Sequence, residues 1–164
     1  LKNCGGNSME IRFAEGKDVA GILELLRQVG NVHHQGRPDL FRNTAQKYGA
    51  SQVLQMLGSS TNPIFVAAEG NKVLGYAFCQ VKKRQDDPVF YDRTELYVDD
   101  LCVDEESRQS GVGHALFEAV KKYAKMRACQ AVTLNVWCFN EAAMAFYLKQ
   151  GLENRNITME LVLE

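Results

Sequence analysis

The sequence predicts an α/β domain: a mixed sheet with helices packed on its faces. Three observations carry this. Strand-like and helix-like periodicities follow one another in the order strand, helix, helix, strand, strand, strand, helix, strand, helix, strand, a pattern that layers helices on a sheet around one core. A glycine-bearing turn, Arg108-Gln109-Ser110-Gly111-Val112-Gly113, joins the fourth strand to the third helix. The chain has 164 residues, 46% of them hydrophobic and 24% charged, enough to bury one real core in a single globular unit.

Residues 9–14 set Ile11 and Phe13 against Glu10 and Arg12, the alternation of a strand. Asp18 is placed to cap a helix through about Val29, with Val19, Ile22, Leu23, Leu25, Leu26 and Val29 on its buried stripe and Gly30 as its stop. Residues 31–42 read as irregular, because Gly36 and Pro38 forbid a continuous helix. A second helix is expected over residues 44–57, carrying Tyr48, Val53, Leu54 and Leu57. A loop at 58–63 leads to a strand at 64–69, a tight turn at Gly70-Asn71, and a strand at 72–83 in which Gly75 marks a bulge.

The central unit follows. Residues 95–103 form a strand with Leu96, Val98, Leu101 and Val103 as its apolar bulk. After the glycine turn, Val112, Leu116, Ala119, Val120 and Tyr123 recur at helical spacing. Residues 130–136 alternate as a strand, Asn140 opens a helix over 141–150, Gly151 ends it, and residues 157–163 form a last strand. Residues 1–8 are polar and precede Met9; they read as an expression remnant, with the domain spanning 9–164.

Charge and cysteine usage narrow the function classes. Nineteen Lys and Arg against twenty Asp and Glu leave a net charge of −1, which argues against nucleic acid as a partner. The basic run Lys82-Lys83-Arg84 is answered at once by Asp86-Asp87 and reads as a solvated hairpin end. The five cysteines, Cys4, Cys79, Cys102, Cys129 and Cys138, show no Cys-x-x-Cys spacing, so the expectation is reduced thiols in a cytoplasmic protein, with no metal site. No stretch is apolar for long enough to read as a membrane span.

Two constellations carry chemistry. The first turn of a helix bears unpaired N–H groups and the positive end of its dipole, so glycines at 111 and 113 beside Arg108 make a seat for a phosphate or pyrophosphate. On its own this turn is generic; it lacks the third glycine of a dinucleotide fingerprint and the Gly-Lys-Ser/Thr of a nucleoside-triphosphate loop. The second is Asn140 with Tyr147. Seven steps of about 100° return to within about 20° of the start, so the two share one helix face. Tyr147 brings a phenol with a proton to give, although a tyrosine on an alanine-rich helix is also an ordinary core residue.

Taken together, strand, Arg-x-x-Gly-x-Gly, helix, strand, then a helix with Asn140 at its start, Tyr147 near its end and Gly151 after it, the chain resembles the GNAT superfamily of N-acetyltransferases. The resemblance covers nearly all of the domain. It implies a mixed central sheet of about six or seven strands flanked by four helices, with splayed central parallel strands. It also implies acetyl-coenzyme A as cosubstrate and direct acetyl transfer to a primary amine in a ternary complex, the acceptor being a small molecule or a peptide. By similarity, Arg108, Gln109, Ser110, Gly111, Val112 and Gly113 would hold the pyrophosphate, Leu101, Cys102 and Val103 would pair with the pantetheine arm, and Asn140 would touch the cosubstrate. Tyr147 would protonate the leaving thiolate.

Glu95, Asp99 and Asp100 are the candidates for taking the amine's proton, with a relaying water or solvent as alternatives. Asp99 and Asp100 point to opposite faces of a regular strand, and a bulge would change that. Asp-Asp-Leu-Cys-Val looks like the acidic pair of the spermidine/spermine acetyltransferases, which faces a cationic acceptor; strand-edge solubility or a salt bridge is the competing reading. His33, His34, Arg37 and Phe41 fall in the segment that commonly lines the acceptor pocket of such proteins. Two further readings stand beside the small-amine transferase: an acyl-CoA sensor without turnover, and a transferase acting on protein N-termini or lysines. A homodimer is a family-level expectation.

Overall fold

The computed structural model describes residues 8–44 and 46–163, so the proposed remnant, apart from Ser8, lies outside the described residues. Five strands form one sheet: β1 (Glu10–Phe13), β2 (Ile64–Glu69), β3 (Lys72–Arg84), β4 (Arg93–Val103) and β5 (Ala131–Leu134). They lie side by side in chain order, antiparallel from β1 to β4 and parallel between β4 and β5. Four helices flank them: α1 (Val19–Gly36), α2 (Ala50–Met56), α3 (Val112–Met126) and α4 (Glu141–Lys149).

The sheet separates two apolar layers. Phe65, Ala67, Ala77, Cys79, Leu96 and Val98 face α3, which answers with Val112, Leu116, Phe117 and Val120. On the other side Ile64, Val66, Tyr76, Phe78 and Cys102 meet Ile22, Leu25 and Leu26 of α1 and Val53 of α2. β2 is buried on both faces, which is why Ile64 through Ala68 is unbroken apolar sequence rather than an alternating one. Gly75 permits the close approach of α3: a Cβ there would lie 2.9 Å from the Cys102 carbonyl oxygen and 3.0 Å from Leu116 Cδ1. The expected irregularity is at its neighbour, since Ala67 pairs with Gly75 and Ala68 with Val73, leaving Leu74 as the extra residue.

Three elements depart from the sequence reading. α1 does not stop at Gly30 but continues to Gly36, so His33 and His34 are helical. A helix-interior glycine costs only about 1 kcal/mol, and the added turn makes contacts of its own: His33 stacks on Phe41, and His34 donates from Nδ1 to the Phe41 carbonyl at 2.7 Å. The stop comes two residues before Pro38, and Gly36 is required there because a Cβ would fall 2.2 Å from the ring of Phe139. α2 is shorter than expected: Thr44 is left-handed at φ 58°, and Gly49 is an extended N-cap. Residues 157–163 form no strand, and the described sheet has five strands, because no main-chain group among the described residues pairs with that segment's backbone.

Candidate active site

β4 and β5 pair from Glu95–Ala131 to Val98–Leu134 and then part. β4 runs on to Val103 with β3 along one side only, Asp100 opposite Phe78 and Val103 opposite Gly75. Leu101, Cys102 and Val103 therefore line a cleft with backbone groups free on the side where β5 has ended. At the top of this cleft stands the first turn of α3. Gly111, its N-cap, is left-handed at φ 89°. The first helical bond runs from the Ala115 N–H to the Gly111 carbonyl at 3.0 Å, so the N–H groups of Val112, Gly113 and His114 have no carbonyl to meet.

The two glycines have different tasks. Gly111 is demanded by its dihedral and looks into open space, with nothing within 4 Å of a Cβ built there. Gly113 instead makes room for α4, since its Cβ would sit 3.3 Å from Phe146 Cε2. Arg108 folds back over the end of β4, its Nε donating to the Val103 carbonyl at 3.4 Å and its guanidinium 3.8 Å from Glu105. Gln109 is left-handed at φ 62°, and Ser110 Oγ donates to the Ser107 carbonyl, closing the turn. An open, left-handed turn with free N–H groups and an adjacent guanidinium fits a pyrophosphate.

The other wall is acidic. Phe78 pairs with Asp100 and Cys79 with Val98, so Asp99 is the extra residue of a β-bulge. The bulge cancels the alternation that would send the two aspartates to opposite faces. Asp99 Oδ2 accepts from Tyr48 Oη at 2.5 Å and from Lys47 Nζ at 2.9 Å. Lys47 Nζ also donates to the Asp99 backbone carbonyl at 3.0 Å. Asp100 Oδ2 accepts from Tyr76 Oη at 3.0 Å. Burial lifts the Asp100 carboxyl to about 6, opposed by the Tyr76 hydrogen bond and by the Lys47 charge. Burial, with the aspartates as added negative charge, raises both phenols, so Tyr48 and Tyr76 stay protonated donors.

Tyr147 stands on α4 with its ring 6.0 Å from Phe117 and 5.2 Å from Phe146. Burial raises its phenol, and the charge of Asp100 adds to the effect. Among the described residues its hydroxyl has no hydrogen-bond partner, yet no buried side-chain polar atom lacks one, so Oη is left accessible. Asn140 caps α4, its Oδ1 accepting from the Ala143 N–H at 3.2 Å. Cys102 turns away toward α1, its Sγ 3.6 Å from the Leu25 carbonyl, and burial pushes its thiol to about 12; it is a neutral core group rather than a nucleophile.

Beside the aspartates four aromatic rings form a closed circuit. His33 stacks on Phe41 at 4.9 Å, Phe41 meets Trp137 edge-on at 5.2 Å, Trp137 stacks on Phe139 at 6.0 Å, and Phe139 meets His33 edge-on at 6.4 Å. Burial and the charge of Lys47 lower the His33 imidazole, which keeps it neutral. Of the residues expected near an acceptor, His33 and Phe41 stand in this circuit; Trp137 and Phe139, which complete it, and Lys47, Tyr48 and Tyr76, which contact the aspartates, were not among the expected site residues. Two large aromatics directly after the fifth strand were a usable signal; nothing marked Lys47 or Tyr48. Glu95 is not brought to this cluster. It lies four residues down β4, roughly 13 Å away along the strand, and accepts from Arg155 Nη1 at 2.8 Å and from Arg93 Nε at 2.7 Å.

Parted parallel strands with a helix N-terminus above the gap make an α/β frame, and that frame as a whole matches known proteins. The profile of the acetyltransferase (GNAT) family matches residues 29–152, and the chain belongs to that family. Among solved structures, a mutant of the BH1408 protein from Bacillus halodurans is 31% identical, covers 94% of this chain and 99% of its own, and superposes with a TM-score of 0.90. The aminoglycoside acetyltransferase meta-AAC0020 from an uncultured soil sample shares the fold at 18% identity, with 95% and 97% coverage and a TM-score of 0.70. The aminoglycoside N-acetyltransferase AAC(6')-Iy, solved with CoA, shares it at 14% identity, with 94% and 99% coverage and a TM-score of 0.68. No curated protein matches the sequence. Among the described residues, no helix is long and apolar enough to cross a membrane.

Proposed function

We propose that this protein transfers acetyl from acetyl-coenzyme A to a cationic primary amine, by direct attack in a ternary complex. The observation that carries the reading is the bulge at Asp99, which gathers two carboxylates beside the point where β4 and β5 part. Acetyl-coenzyme A, when bound, supplies an activated acetyl group as a thioester. Residues 108–113 and the first N–H groups of α3 would hold its pyrophosphate, and the free edge of Leu101, Cys102 and Val103 its pantetheine arm.

The rest follows from this chain's own groups. Asp99 and Asp100 bind an ammonium, and Asp100, with its carboxyl near 6, can take the amine's proton at neutral pH. The site already holds such a group: the Lys47 ammonium, 2.9 Å from Asp99, stands where an acceptor's ammonium would bind and is displaced by it. Tyr147 holds a proton at Oη for the departing sulfur. The aromatic circuit excludes water from one side and offers ring faces to a cation or to a hydrocarbon stem. A cytoplasmic location and a pair of identical subunits complete the reading.

A thiol-release assay with acetyl-coenzyme A against polyamines, aminoglycosides and lysine or N-terminal peptides, run beside Tyr147→Phe, tests it. Turnover on a small cationic amine, strongly reduced in the variant, is the expected result. Tight cosubstrate binding without turnover on any acceptor would replace it with the sensor reading, and preference for peptides would move the acceptor to protein.

A further inference from the structure

The Lys47 ammonium meets β4 just past the point where β5 leaves it. The last β4–β5 pair is Val98 with Leu134. The next residue, Asp99, takes Lys47 Nζ twice, at Oδ2 (2.9 Å) and at its backbone carbonyl (3.0 Å). The lysine charge also acts on Asp100. Lys47 comes from the connection into α2, and its neighbour Tyr48 packs with the α1–α2 layer. Tyr147 packs with the α3 layer on the other face of the sheet, where, after burial, the charge of Asp100 acts on its phenol. An amine and a phenol thus stand on opposite sides of the sheet, each coupled to Asp100.

Other lysines with ion pairs lie elsewhere: Lys17 with Glu15, Lys72 with Asp104 and Glu106, Lys121 with Glu118. None of these acids belongs to the pair at the bulge. Lys47 is also free to move. Its side chain is half exposed, its ion pair is weak, and its long stem lets the nitrogen leave Asp99 and return.

We propose that Lys47 is a modification site: when no acceptor occupies the acidic wall, its Nζ attacks the thioester of bound acetyl-coenzyme A, and the chain acetylates itself there. The inference rests on the transferase reading of this cleft. A lysine ammonium held by Asp99 is the same chemical group as the cationic primary amine proposed as acceptor, on the same carboxylate. The C–N bond forms as the C–S bond breaks, and two protons leave the nitrogen. One passes through Asp100 to water; the other replaces the proton that Tyr147 gives to the sulfur. The products are an N-acetyl-lysine and free coenzyme A. The amide carries no charge, so Asp99 loses its resident cation and keeps the Tyr48 hydrogen bond. Self-acetylation therefore removes the competitor that an acceptor otherwise displaces.

The test incubates the full chain with acetyl-coenzyme A and no acceptor, and reads Lys47 by peptide mass spectrometry before and after. One acetyl group on Lys47 is expected, appearing with a rate constant that does not change on dilution of the protein. In Tyr147→Phe that rate constant should fall on the order of 10²–10³-fold, while the slow chemical labelling of Lys72 and Lys121 stays as it was. Lys47→Arg keeps the cation and should take no acetyl in that peptide. Thiol release with an acceptor, measured on the same samples, separates the two readings. Turnover on an acceptor with Lys47 unmodified would overturn the self-acetylation and leave the transferase. Lys47 acetylated without turnover on any acceptor would support it and remove the external acceptor. Labelling of Lys47 at the pace of Lys72 in both proteins, or at a rate constant that scales with protein concentration, would overturn it. Neither labelling nor turnover would overturn both.

Discussion

The two walls of the cleft are built by different means. The α3 wall, from Arg108 to His114, works through main chain: a left-handed glycine, free N–H groups and a helix end. The opposite wall works through side chains delivered by four separate stretches: His33 from α1, Phe41, Lys47 and Tyr48 from the connection to α2, Asp99 and Asp100 from β4, and Trp137 and Phe139 from the loop after β5. A main-chain site needs few particular residues and suits the invariant handle of a cosubstrate. A side-chain site can be rewritten residue by residue and suits an acceptor that differs between relatives. Substitutions should therefore separate cleanly, one wall governing cosubstrate affinity and the other acceptor affinity and rate, with Tyr147 between them.

The largest effect is expected at that boundary. Tyr147→Phe keeps the ring that packs on Phe117 and Phe146 and removes only the proton donor. Steady-state kinetics should show kcat lowered on the order of 10²–10³-fold with the cosubstrate KM unchanged. An equal loss in KM would mean that the hydroxyl binds rather than donates, and the separation of the walls would fail.

Asp100→Asn should cost about 10²-fold in kcat and also change the pH dependence. In the wild type kcat/KM should rise through about pH 6 as the Asp100 carboxyl ionises, and the variant should lose that limb. Stability moves the other way. The carboxyl is raised in the folded state, from 3.8 to about 6, so its contribution to stability is present below the unfolded value and is lost as pH rises through the folded one. Ionised Asp100 thus weakens the fold by up to about 3 kcal/mol above pH 6. The asparagine can still accept from Tyr76, so its melting temperature should exceed the wild type's at pH 8 and match it at pH 4. Greater stability with less activity would mark a group kept for chemistry.

On the main-chain wall the two glycines make a matched pair. Gly111→Ala puts a Cβ on a residue at φ 89°, a strain of about 1–2 kcal/mol, and re-aims the first N–H groups of α3. Calorimetric titration with coenzyme A should show affinity reduced roughly tenfold, with acceptor KM untouched. Gly113→Ala, whose Cβ meets Phe146 at 3.3 Å, should instead disturb the seating of α4 and so reach kcat through Tyr147.

The contrast between the walls also explains what could be read from the sequence. The α3 wall was legible because a conformational requirement is written in residue type: Gly111 stands where the chain turns left-handed. The β2–β3 turn at Gly70 was legible for the same reason. The acidic wall was half legible. Two adjacent aspartates are visible, but their common face depends on a bulge set by register with Phe78 and Cys79, which is a property of the pairing and not of either strand. Lys47 and Tyr48 reach Asp99 across more than fifty residues of chain, and no local pattern encodes that contact. Gly30 misled because a stop signal yields to packing: it is buried in α1, and the turn beyond it earns contacts with Phe41. The expected last strand did not form: alternation over residues 157–163 is only a pattern, a strand exists only with a neighbour, and among the described residues none pairs with that segment.

The smallest effect, and the sharpest test of the acidic wall, is at Lys47. Its ion pair with Asp99 is half open, with 45% of the lysine side chain exposed against 12% of the aspartate's, so its net worth is about 0.5–1 kcal/mol. A cationic acceptor must exchange its own ammonium for that one. Lys47→Met keeps the hydrocarbon stem and removes the competitor, so acceptor KM should fall about two- to fivefold while kcat and the cosubstrate KM stay put. Added salt, which screens the competing ion pair and the acceptor alike, should narrow the difference between wild type and variant. If the acceptor instead bound uncharged, Asp99 would gain nothing from losing its lysine, and KM would rise or stand still. The direction of this one small change therefore decides whether the wall selects for charge.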